Sequence, residues 1–360
     1  MNPFLYGLPR RYTPRNDVIF LIYNDISKIM NKHFIKIPII IFSSIAAIFC
    51  LGVVIMTLKT KTPGNASLKN SKKGFVIPWS NKGYIAQGIT YDFAKGNFYL
   101  TGYMKDGSAS PILVVNKKSG KLINVVRMAN PDGSDYAGHA GGLALMNGKL
   151  YVAGSHDSCF YVFKKSDIEK AAKNSAVSYS EVLDLKNGGD QIGVAYCTTR
   201  NGLIYAGEFY RNPQYILSEK HQVQTSDGLQ YALAVGFEIN PDGKTTTAKI
   251  AYSIPVEIQG MCFEGNTLYL TTSWGLEKSF VYKYNLDKIP QSGTKEVCGE
   301  TVPLYNLTMQ NMEACYTLPS MAEEIEYVDG HFYINNESAS DKYVFGKFTG
   351  GRWCRGYKFN

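Results

Sequence analysis

The stretch AQGITYDFAKGNFYLTG at 86–102 contains two short alternating runs of apolar and polar residues joined by a tight turn. The pattern recurs as AGGLALMNGKLYVAGS at 140–155, QIGVAYCTTRNGLIYAGE at 191–208, IQGMCFEGNTLYLTTS at 258–273 and MAEEIEYVDGHFYINNES at 321–338. Alternation with a period of two around Asn-Gly or Asp-Gly turns is typical of β-hairpins. Aligning the five copies places these residues at one common position: Gly88, Gly142, Gly193, Gly260 and Glu324.

The common positions are 54, 51, 67 and 64 residues apart, and only the short stretch Ser166 to Ala172 between them looks helical. Repeated hairpins at this period predict an all-β fold, a five-bladed β-propeller. Each copy supplies the two inner strands of a blade, and stretches such as PILVVNKKSGKLINVVR at 111–127 supply the outer two. We expect KGFVIP at 73–78 to pair beside 353–359, because an open ring would leave a strand edge exposed. A β-sandwich also has many short strands, but it does not explain the recurrence of one hairpin.

A second feature is the segment IPIIIFSSIAAIFCLGVVIMTL at 37–58, which contains no charged residue. A helix of this length, at about 1.5 Å per residue, spans a hydrocarbon core of roughly 30 Å. The alternatives are a buried core helix and a cleaved signal peptide. However, the segment is longer than a usual signal-peptide core, and no small-residue cleavage site follows it closely. The sequence therefore predicts one uncleaved transmembrane helix.

This helix divides the chain into four parts: a tail at 1–36, the anchor at 37–58, a linker at 59–73 and the propeller at 74–360. The linker, KTKTPGNASLKNSKK, is too polar to order itself by burial. Lysines flank the anchor on both sides, so the positive-inside rule does not decide its orientation. Long downstream domains are translocated largely regardless of flanking charge. We therefore expect a single-pass protein of the cell membrane, with a cytoplasmic tail and the propeller outside.

The charge distribution excludes one class of partner. The net charge is +8, from 38 Lys and Arg and 30 Asp and Glu. Seven of these basic and two of these acidic residues lie in residues 1–59, which leaves 31 against 28 in the rest. Basic and acidic residues are therefore nearly balanced after the anchor, whereas a nucleic-acid-binding protein has a strongly basic surface.

Of the seven cysteines, Cys50 lies in the anchor and six lie in the propeller. An even number outside the cell is compatible with disulfides. Cys298 and Cys315 flank a loop-rich stretch and form the pair we expect. Cys197 and Cys262 lie on inner strands, where buried thiols are also ordinary core residues.

The inner strands of a propeller converge on a central channel, so their ends share one mouth. The residues that we expect at the mouth from the strand starts are Gln87, His139, Asp190 or Gln191, Gln259, and Glu323 or Glu324. The strand ends bring Ser155, His156, Asp157, Glu208, Ser273, Trp274, Glu337 and Ser338. Polar groups around a pocket with one apolar wall can orient a small ligand. The ligand-binding residues that we predict are Gln87, His139, Gln191, Glu208, Gln259, Trp274 and Glu323. Alternatively, these groups hydrogen-bond one another to satisfy their own burial.

No catalytic residue can be assigned from these patterns. His139 and His156, with Glu208 or Glu323 nearby, would suit a divalent metal, but no H-x-x-x-H or C-x-x-C spacing supports one. No cofactor is therefore predicted. His139 and Glu323 are residue types suited to acid–base chemistry. The chain lacks a G-x-S-x-G elbow, a phosphate loop and a dinucleotide fingerprint.

QGITYD and NFYLTG of the first hairpin, and QGMCF and TLYLTTSWG of the fourth, resemble the Gln-Gly strands of bacterial propeller proteins. The segment from Pro319 to Tyr343, with Met-Ala-Glu before a strand ending in Glu-Ser, is similar to the closing blade of uncharacterised secreted or anchored bacterial propellers. The resemblance covers roughly 84–345. A looser similarity extends to the five-bladed glutamine cyclotransferases and to propeller lactonases, whose catalytic residues have no clear counterparts here. The resemblance implies a fold and a location.

Two functions follow as expectations. The first is a membrane-anchored extracellular module that binds a small polar ligand or a protein. The alternative is an enzyme acting on a small polar substrate, by cyclotransfer or lactone hydrolysis. An enzyme needs a deep pocket with a carboxyl group within reach of a ligand, whereas a scaffold presents an apolar patch on a blade.

Overall fold

The computed structural model describes residues 36–55, 70–155, 157–343, 346 and 351–359. The chain divides into two compact units, Met1–Val54 and Ile55–Asn360. Helix α1, Lys36–Ile55, is 20 residues long and apolar enough to cross a membrane, which is compatible with a single-pass anchor. The expected tail before residue 36, residues 56–58 of the expected anchor and residues 59–69 of the expected linker lie outside the described residues.

The second unit is a five-bladed β-propeller, as the hairpin repeat predicts. Strand β1 (Ser71–Val76) belongs to the last blade. Blade 1 comprises β2 (Tyr84–Asp92), β3 (Asn97–Met104), β4 (Pro111–Asn116) and β5 (Leu122–Ala129). Blade 2 comprises β6 (Ala140–Met146), β7 (Lys149–Gly154), β8 (Cys159–Lys164) and β10 (Glu181–Asp184). Between β8 and β10 lie helix α2 (Lys165–Lys170) and β9 (Ala176–Ser178), which adds to blade 1 in parallel with β5.

Blade 3 is preceded by a small hairpin of β11 (Lys186–Asn187) and β12 (Asp190–Gln191). The blade comprises β13 (Tyr196–Arg200), β14 (Leu203–Gly207), β17 (Ala232–Ile239) and β18 (Thr246–Ile254). Another hairpin, β15 (Val223–Thr225) and β16 (Gly228–Gln230), is inserted between its second and third strands. This insertion, together with the 310 helix Glu219–His221, accounts for the long spacing between the third and fourth copies.

Blade 4 comprises β19 (Ile258–Glu264), β20 (Thr267–Thr272), β21 (Ser279–Asn285) and β24 (Ala314–Leu318). Between its last two strands, the 310 helix Leu286–Lys288 is followed by β22 (Gly293–Val297) and β23 (Glu300–Asn306), which extend the sheet of blade 3. Blade 5 comprises β25 (Ala322–Val328), β26 (His331–Asn336), β27 (Trp353–Tyr357) and β1, with the 310 helix Glu337–Ala339 after β26.

The ring is closed by strands from distant parts of the chain. β1 pairs antiparallel with β27, from Ser71 opposite Tyr357 to Val76 opposite Trp353. The expected closure is thereby confirmed, and the strand begins three residues before the expected start of the propeller. The apolar side chains form five core clusters, and each of them lies between two neighbouring blades. The blades are therefore held together by burial, at about 1.5–3 kcal/mol for each large side chain.

Hydrogen bonds between inner strands add to this packing. Thr101 Oγ1 of blade 1 donates to the carbonyl of Gly141 in blade 2 (3.0 Å). Thr271 Oγ1 of blade 4 donates to the carbonyl of Glu323 in blade 5 (2.7 Å). Asn335 Nδ2 of blade 5 donates to the carbonyl of Gly88 in blade 1 (2.7 Å).

Glu324 occupies the axis of the ring. Its carboxyl oxygens accept the backbone N–H groups of Ile89 (2.7 Å), Leu143 (2.8 Å) and Cys197 (3.0 Å), which belong to the inner strands of blades 1, 2 and 3. Burial raises the pKa of Glu324, and the three N–H groups oppose that rise. One side chain of blade 5 thus binds three other blades.

In three of the other copies, glycine at the common position leaves room for the Glu324 side chain. A Cβ on Gly142 would lie 2.5 Å from the backbone of Cys197 and 2.6 Å from Glu324 Oε1. The third copy differs from the sequence alignment: Tyr196, and not Gly193, takes the common position, because Tyr196 directly precedes the N–H that Glu324 binds. Space for the Tyr196 ring comes from its strand partner Gly207, whose added Cβ would lie 2.0 Å from the ring.

Candidate ligand-binding site at the channel mouth

A cavity of about 470 Å³ lies at one end of the channel. Its wall is built from two equivalent positions in each blade. The residue before the common position is Gln87, Gly141, Ala195, Gln259 or Glu323. The equivalent residue near the end of the second strand, within two residues of its last residue, is Tyr103, Ser155, Phe209, Ser273 or Glu337. Nine of these ten residues line the cavity, Gly141 being the exception. At the first of these positions, the small residues of blades 2 and 3 leave space beside the larger side chains of blades 4, 5 and 1.

Two strained backbone positions lead into this wall. Glu257 and Met321 have φ angles of 61° and 60° and stand at equivalent places, three residues before the common positions of blades 4 and 5. Such a conformation costs a residue other than glycine about 1 kcal/mol or more. Contacts hold both in place: Glu257 pairs with Arg211, and the Met321 carbonyl accepts the Glu337 N–H (3.0 Å). The chain then enters the inner strand with Gln259 or Glu323 lining the cavity.

One side of the cavity is a polar network around Gln87. The Gln87 amide nitrogen donates to Glu337 Oε1 (2.7 Å), and the Gln87 amide oxygen lies 2.8 Å from His139 Nε2. Because that oxygen can only accept, Nε2 of His139 carries a proton. The His139 ring also packs on Tyr103, with ring centroids 4.5 Å apart. Gln87 is therefore fixed between a donor and an acceptor.

Glu337 is the most fully bonded carboxyl group of the cavity. Besides Gln87, it accepts the hydroxyls of Tyr343 (3.0 Å) and Tyr103 (3.4 Å). Lys342 Nζ lies 3.1 Å from the Tyr103 hydroxyl and adds a positive charge nearby. Burial raises the pKa of Glu337, whereas Tyr343, Lys342, Tyr103 and Gln87 all oppose that rise. The net direction of the pKa shift is upward, although these four neighbours favour the ionised form of Glu337.

Glu323 presents the opposite situation. Its side chain is 3% exposed and lines the cavity, yet no hydrogen bond joins its carboxyl group to any residue that the structure describes. Burial raises the pKa of Glu323 well above its ordinary value, and the charges of Glu337 and Glu324 raise it further. The cavity thus contains a hydrogen-bonded carboxyl group, Glu337, and a buried carboxyl group, Glu323, that lacks a hydrogen-bond partner among the described residues.

The opposite side of the cavity is aromatic. Phe209 stacks near Trp274, with ring centroids 6.2 Å apart, and Tyr215 meets both rings edge-on. The Arg211 guanidinium lies 4.2 Å from the centre of the Trp274 ring. Ile216, which also lines the cavity, is 61% exposed. A ligand here meets flat apolar surfaces on one side and hydrogen-bonding groups on the other.

The structure brings together five of the predicted site residues, namely Gln87, His139, Gln259, Trp274 and Glu323. Gln191 is exposed on the small hairpin β11–β12, away from the cavity, because the third copy was aligned too early. Ala195 takes the place expected for Gln191. Glu208 is buried behind the wall and is not a lining residue. His156 lies outside the described residues.

Glu208 belongs to a separate buried cluster. His221 is 1% exposed; its Nδ1 lies 2.8 Å from Glu208 and its Nε2 lies 3.1 Å from Asp190. Burial lowers the pKa of His221, but the hydrogen bonds and charges of the two carboxylates outweigh it, so the net direction is upward. Both carboxylates also accept backbone N–H groups, of Leu233 and Cys298. The cluster fastens the loop before blade 3 to the insertion within it.

Other predicted features have these outcomes. No group of three or more His, Cys, Asp and Glu suited to a metal occurs among the described residues. All seven cysteines are free thiols. The expected Cys298–Cys315 disulfide is wrong, because Cys298 is buried beside blade 3, where its thiol donates to the Leu185 carbonyl (3.1 Å), while Cys315 is exposed on blade 4. Tyr103 and Phe209 were not predicted, although the repeat alignment places them beside Glu337.

No protein-family model matches the chain, and no curated protein matches it. Solved structures that it resembles include the glutaminyl cyclase of Myxococcus xanthus, 11% identical, covering 77% of this chain and 90% of that chain with a TM-score of 0.39. A luciferin-regenerating enzyme is 9% identical over 81% of this chain and 92% of that chain, with a TM-score of 0.37. A tail fibre of Staphylococcus aureus phage P68 is 12% identical over 76% and 50%, with a TM-score of 0.43. The expected likeness to a glutamine-cyclising enzyme is thus found, but at these identities and TM-scores it carries nothing about the activity of this chain.

Proposed function

We propose that the propeller is a ligand-binding module, and that its ligand is a small molecule with a protonated amine and a flat apolar body. The observation that supports this most is Glu323, a buried carboxyl group facing the cavity without a partner among the described residues. A buried polar group without a hydrogen bond costs about 1–3 kcal/mol, which a donating ligand recovers. Two carboxyl groups against one lysine favour a cation, and Trp274 with Phe209 provides the apolar wall.

Tryptamine, which has both an ammonium group and a flat ring, is a suitable probe for isothermal titration calorimetry with the full chain in detergent. Glu323→Gln should weaken binding roughly 10- to 150-fold, as the loss of a charged hydrogen bond implies. Glu326→Gln is the matched control, since Glu326 lies on the same inner strand but lines a different cavity. Trp274→Ala should weaken binding up to about tenfold. Equal affinities of the Glu323→Gln and Glu326→Gln variants would contradict the proposal.

The pH dependence gives a second test. Because burial raises the pKa of Glu323, its carboxyl group keeps its proton to a higher pH than an exposed glutamate and pairs as a charge with the amine only after that proton is lost. Tryptamine binding should therefore strengthen as the pH rises, up to the point where the amine itself loses its proton. This rise should vanish in Glu323→Gln.

An enzyme remains the second candidate, and the pairing of Glu323 with Glu337 favours it. Two neighbouring carboxyl groups with different surroundings, Glu337 hydrogen-bonded and Glu323 without a partner among the described residues, are the arrangement that can separate an acid from a base. A glutaminyl dipeptide assayed for ammonia release, and a γ-lactone assayed for acid release, test cyclotransfer and hydrolysis. Turnover that is lost in both Glu323→Gln and Glu337→Gln would favour the enzyme. Binding without turnover would favour the binding module.

We further propose that α1 anchors the propeller in the cell membrane, with the propeller outside. The length and composition of the helix support the anchor. Cys315 is exposed, so a membrane-impermeant maleimide added to intact cells should label it. The Cys315→Ser variant is the control. Labelling that appears only after the cells are lysed would overturn this orientation.

A further inference from the structure

A second surface of the propeller is strongly basic. A groove of about 630 Å³ runs between blade 5 and blade 1, and no acidic side chain is among its described lining residues. Its floor contains Tyr91 and Tyr333, both buried. Its walls carry five lysines: Lys72, Lys73, Lys95, Lys117 and Lys118. The groove is well apart from the cavity at the channel mouth, with which it shares no residue.

Among the described residues, few acidic groups compensate the lysines around the groove. The acidic group beside it is Asp329, which pairs with Lys117 and is also influenced by Lys72 and His331. Lys117 and Lys73 additionally lie over the rings of Tyr91 and Trp353, at 5.4 Å and 4.9 Å. Five lysines against one aspartate leave a net charge of about +4 when His331 is neutral. A positive groove of this kind attracts an extended anionic surface.

An exposed aromatic side chain stands next to these lysines. Phe93 is 67% exposed on the turn between β2 and β3, two residues before Lys95, and packs edge-on against Tyr91 at 4.9 Å. A phenylalanine held at this exposure is unfavourable in water. Basic residues combined with a protruding aromatic ring are the composition by which proteins bind anionic lipid surfaces.

The length of the connecting chain limits how far the groove can lie from the membrane that holds α1. Lys72 and Lys73 lie in β1, and only 16 residue steps separate Ser71 from Ile55, the last described residue of the apolar helix. Fully extended, this length spans at most roughly 58 Å. The sequence that connects the helix to β1 also carries three lysines, Lys59, Lys61 and Lys69, and no acidic residue.

From these observations we infer that the groove between blades 5 and 1 docks on anionic phospholipid headgroups of the bilayer that holds α1, with Phe93 entering the interface. The inference rests on the proposed anchoring and is independent of the ligand at the channel mouth. Docking would fix the orientation of the propeller on the membrane.

The test uses the full chain in vesicles, with a bimane fluorophore on Ala94→Cys in a Cys50→Ala, Cys315→Ser background. A spin-labelled lipid headgroup quenches the fluorophore when the turn lies on the bilayer. Quenching is expected in vesicles that contain phosphatidylglycerol and not in pure phosphatidylcholine. It should disappear at about 1 M salt, where the screening length falls to about 3 Å.

The variant Lys95→Gln, Lys117→Gln, Lys118→Gln should lower the ratio of docked to undocked protein roughly 100-fold, since each lysine contributes about a fivefold preference for an anionic surface. The matched control, Lys170→Gln, Lys173→Gln, Lys244→Gln, removes the same charge from exposed sites outside the groove and should leave quenching unchanged. Equal losses in the two variants would overturn the inference.

Two further outcomes would also overturn it. Quenching that is the same in neutral and anionic vesicles shows that the groove does not recognise lipid charge. A response to inorganic polyphosphate without any response to lipid assigns the groove to a soluble polyanion. Vesicle flotation separates a failure of anchoring from a failure of docking, because an anchored chain floats whether or not the groove is occupied.

Discussion

The two adjacent glutamates on β25 should respond differently when each is replaced by glutamine: only Glu324→Gln should lose stability. Glu324 accepts three backbone N–H groups, and an amide has only one accepting oxygen. If that oxygen keeps Ile89 and Leu143, the Cys197 N–H faces an NH2 group and loses its partner. One buried donor without an acceptor costs about 1–3 kcal/mol, a large share of the 5–15 kcal/mol by which proteins are stable. Glu324→Gln should therefore lower the melting temperature by roughly 2–12 °C.

Glu323→Gln is the matched control, because that carboxyl group is equally buried but accepts no hydrogen bond from the described residues. The change removes a carboxyl group whose ionised form is disfavoured, so stability should stay equal or increase. Urea and thermal unfolding of the full chain in detergent, followed by tryptophan fluorescence, measure both variants. A Glu324→Gln variant as stable as the wild type, or a Glu323→Gln variant that loses as much, would refute the assignment of Glu324 as the axial acceptor.

Three other changes test the fold and its buried charges. The raised pKa of His221 implies a stabilisation of the fold that is fully present below about pH 6.5 and is lost as the pH rises through the pKa of His221 in the folded protein. His221→Gln should lower the free energy of unfolding and make it depend less on pH, as unfolding curves across the pH range measure. Gly142→Ala places a Cβ 2.5 Å from the backbone of the next blade and should cost about 3 kcal/mol or more, whereas Gly193→Ala, with no atom closer than 3.9 Å, should cost little. Lys165→Met leaves Asp92, 3% exposed, without the ammonium group 2.5 Å away and should cost about 3–5 kcal/mol by urea unfolding. Adding Asp92→Asn should restore part of that loss, and an unchanged double variant would argue against the ion pair.

Much of the fold was predictable because its information is local and repeated. Each hairpin carries its own alternation and turn, and five copies at one period leave few architectures open. The closing strand was also predictable, since a propeller with an exposed edge is unfavourable. The mouth could be located because strand ends converge there in every blade.

The parts that escaped prediction depend on contacts between distant residues. The sequence alignment puts Gly193 at the common position because glycine stands there in three other copies. The third blade instead moves the glycine to the opposing strand, at Gly207, and so accommodates Tyr196. His221 lies in an insertion outside every repeat, so no pattern marked it. The unpartnered state of Glu323 reflects three-dimensional surroundings that no spacing reveals.

The closure of the ring by β1 has a consequence for the order of events during synthesis. Trp353 follows Val76 by 277 residues (353 − 76), yet the two are paired. At roughly 5–20 residues per second, β1 leaves the ribosome about 14–55 s before its partner exists. During that interval β1, the outer strand of blade 5, lacks the neighbouring strand β27 with which it pairs, so the ring stays open. The ring of the propeller can therefore close only after Trp353–Tyr357 has been made, although its closing partner β1 is the first strand of the propeller to leave the ribosome.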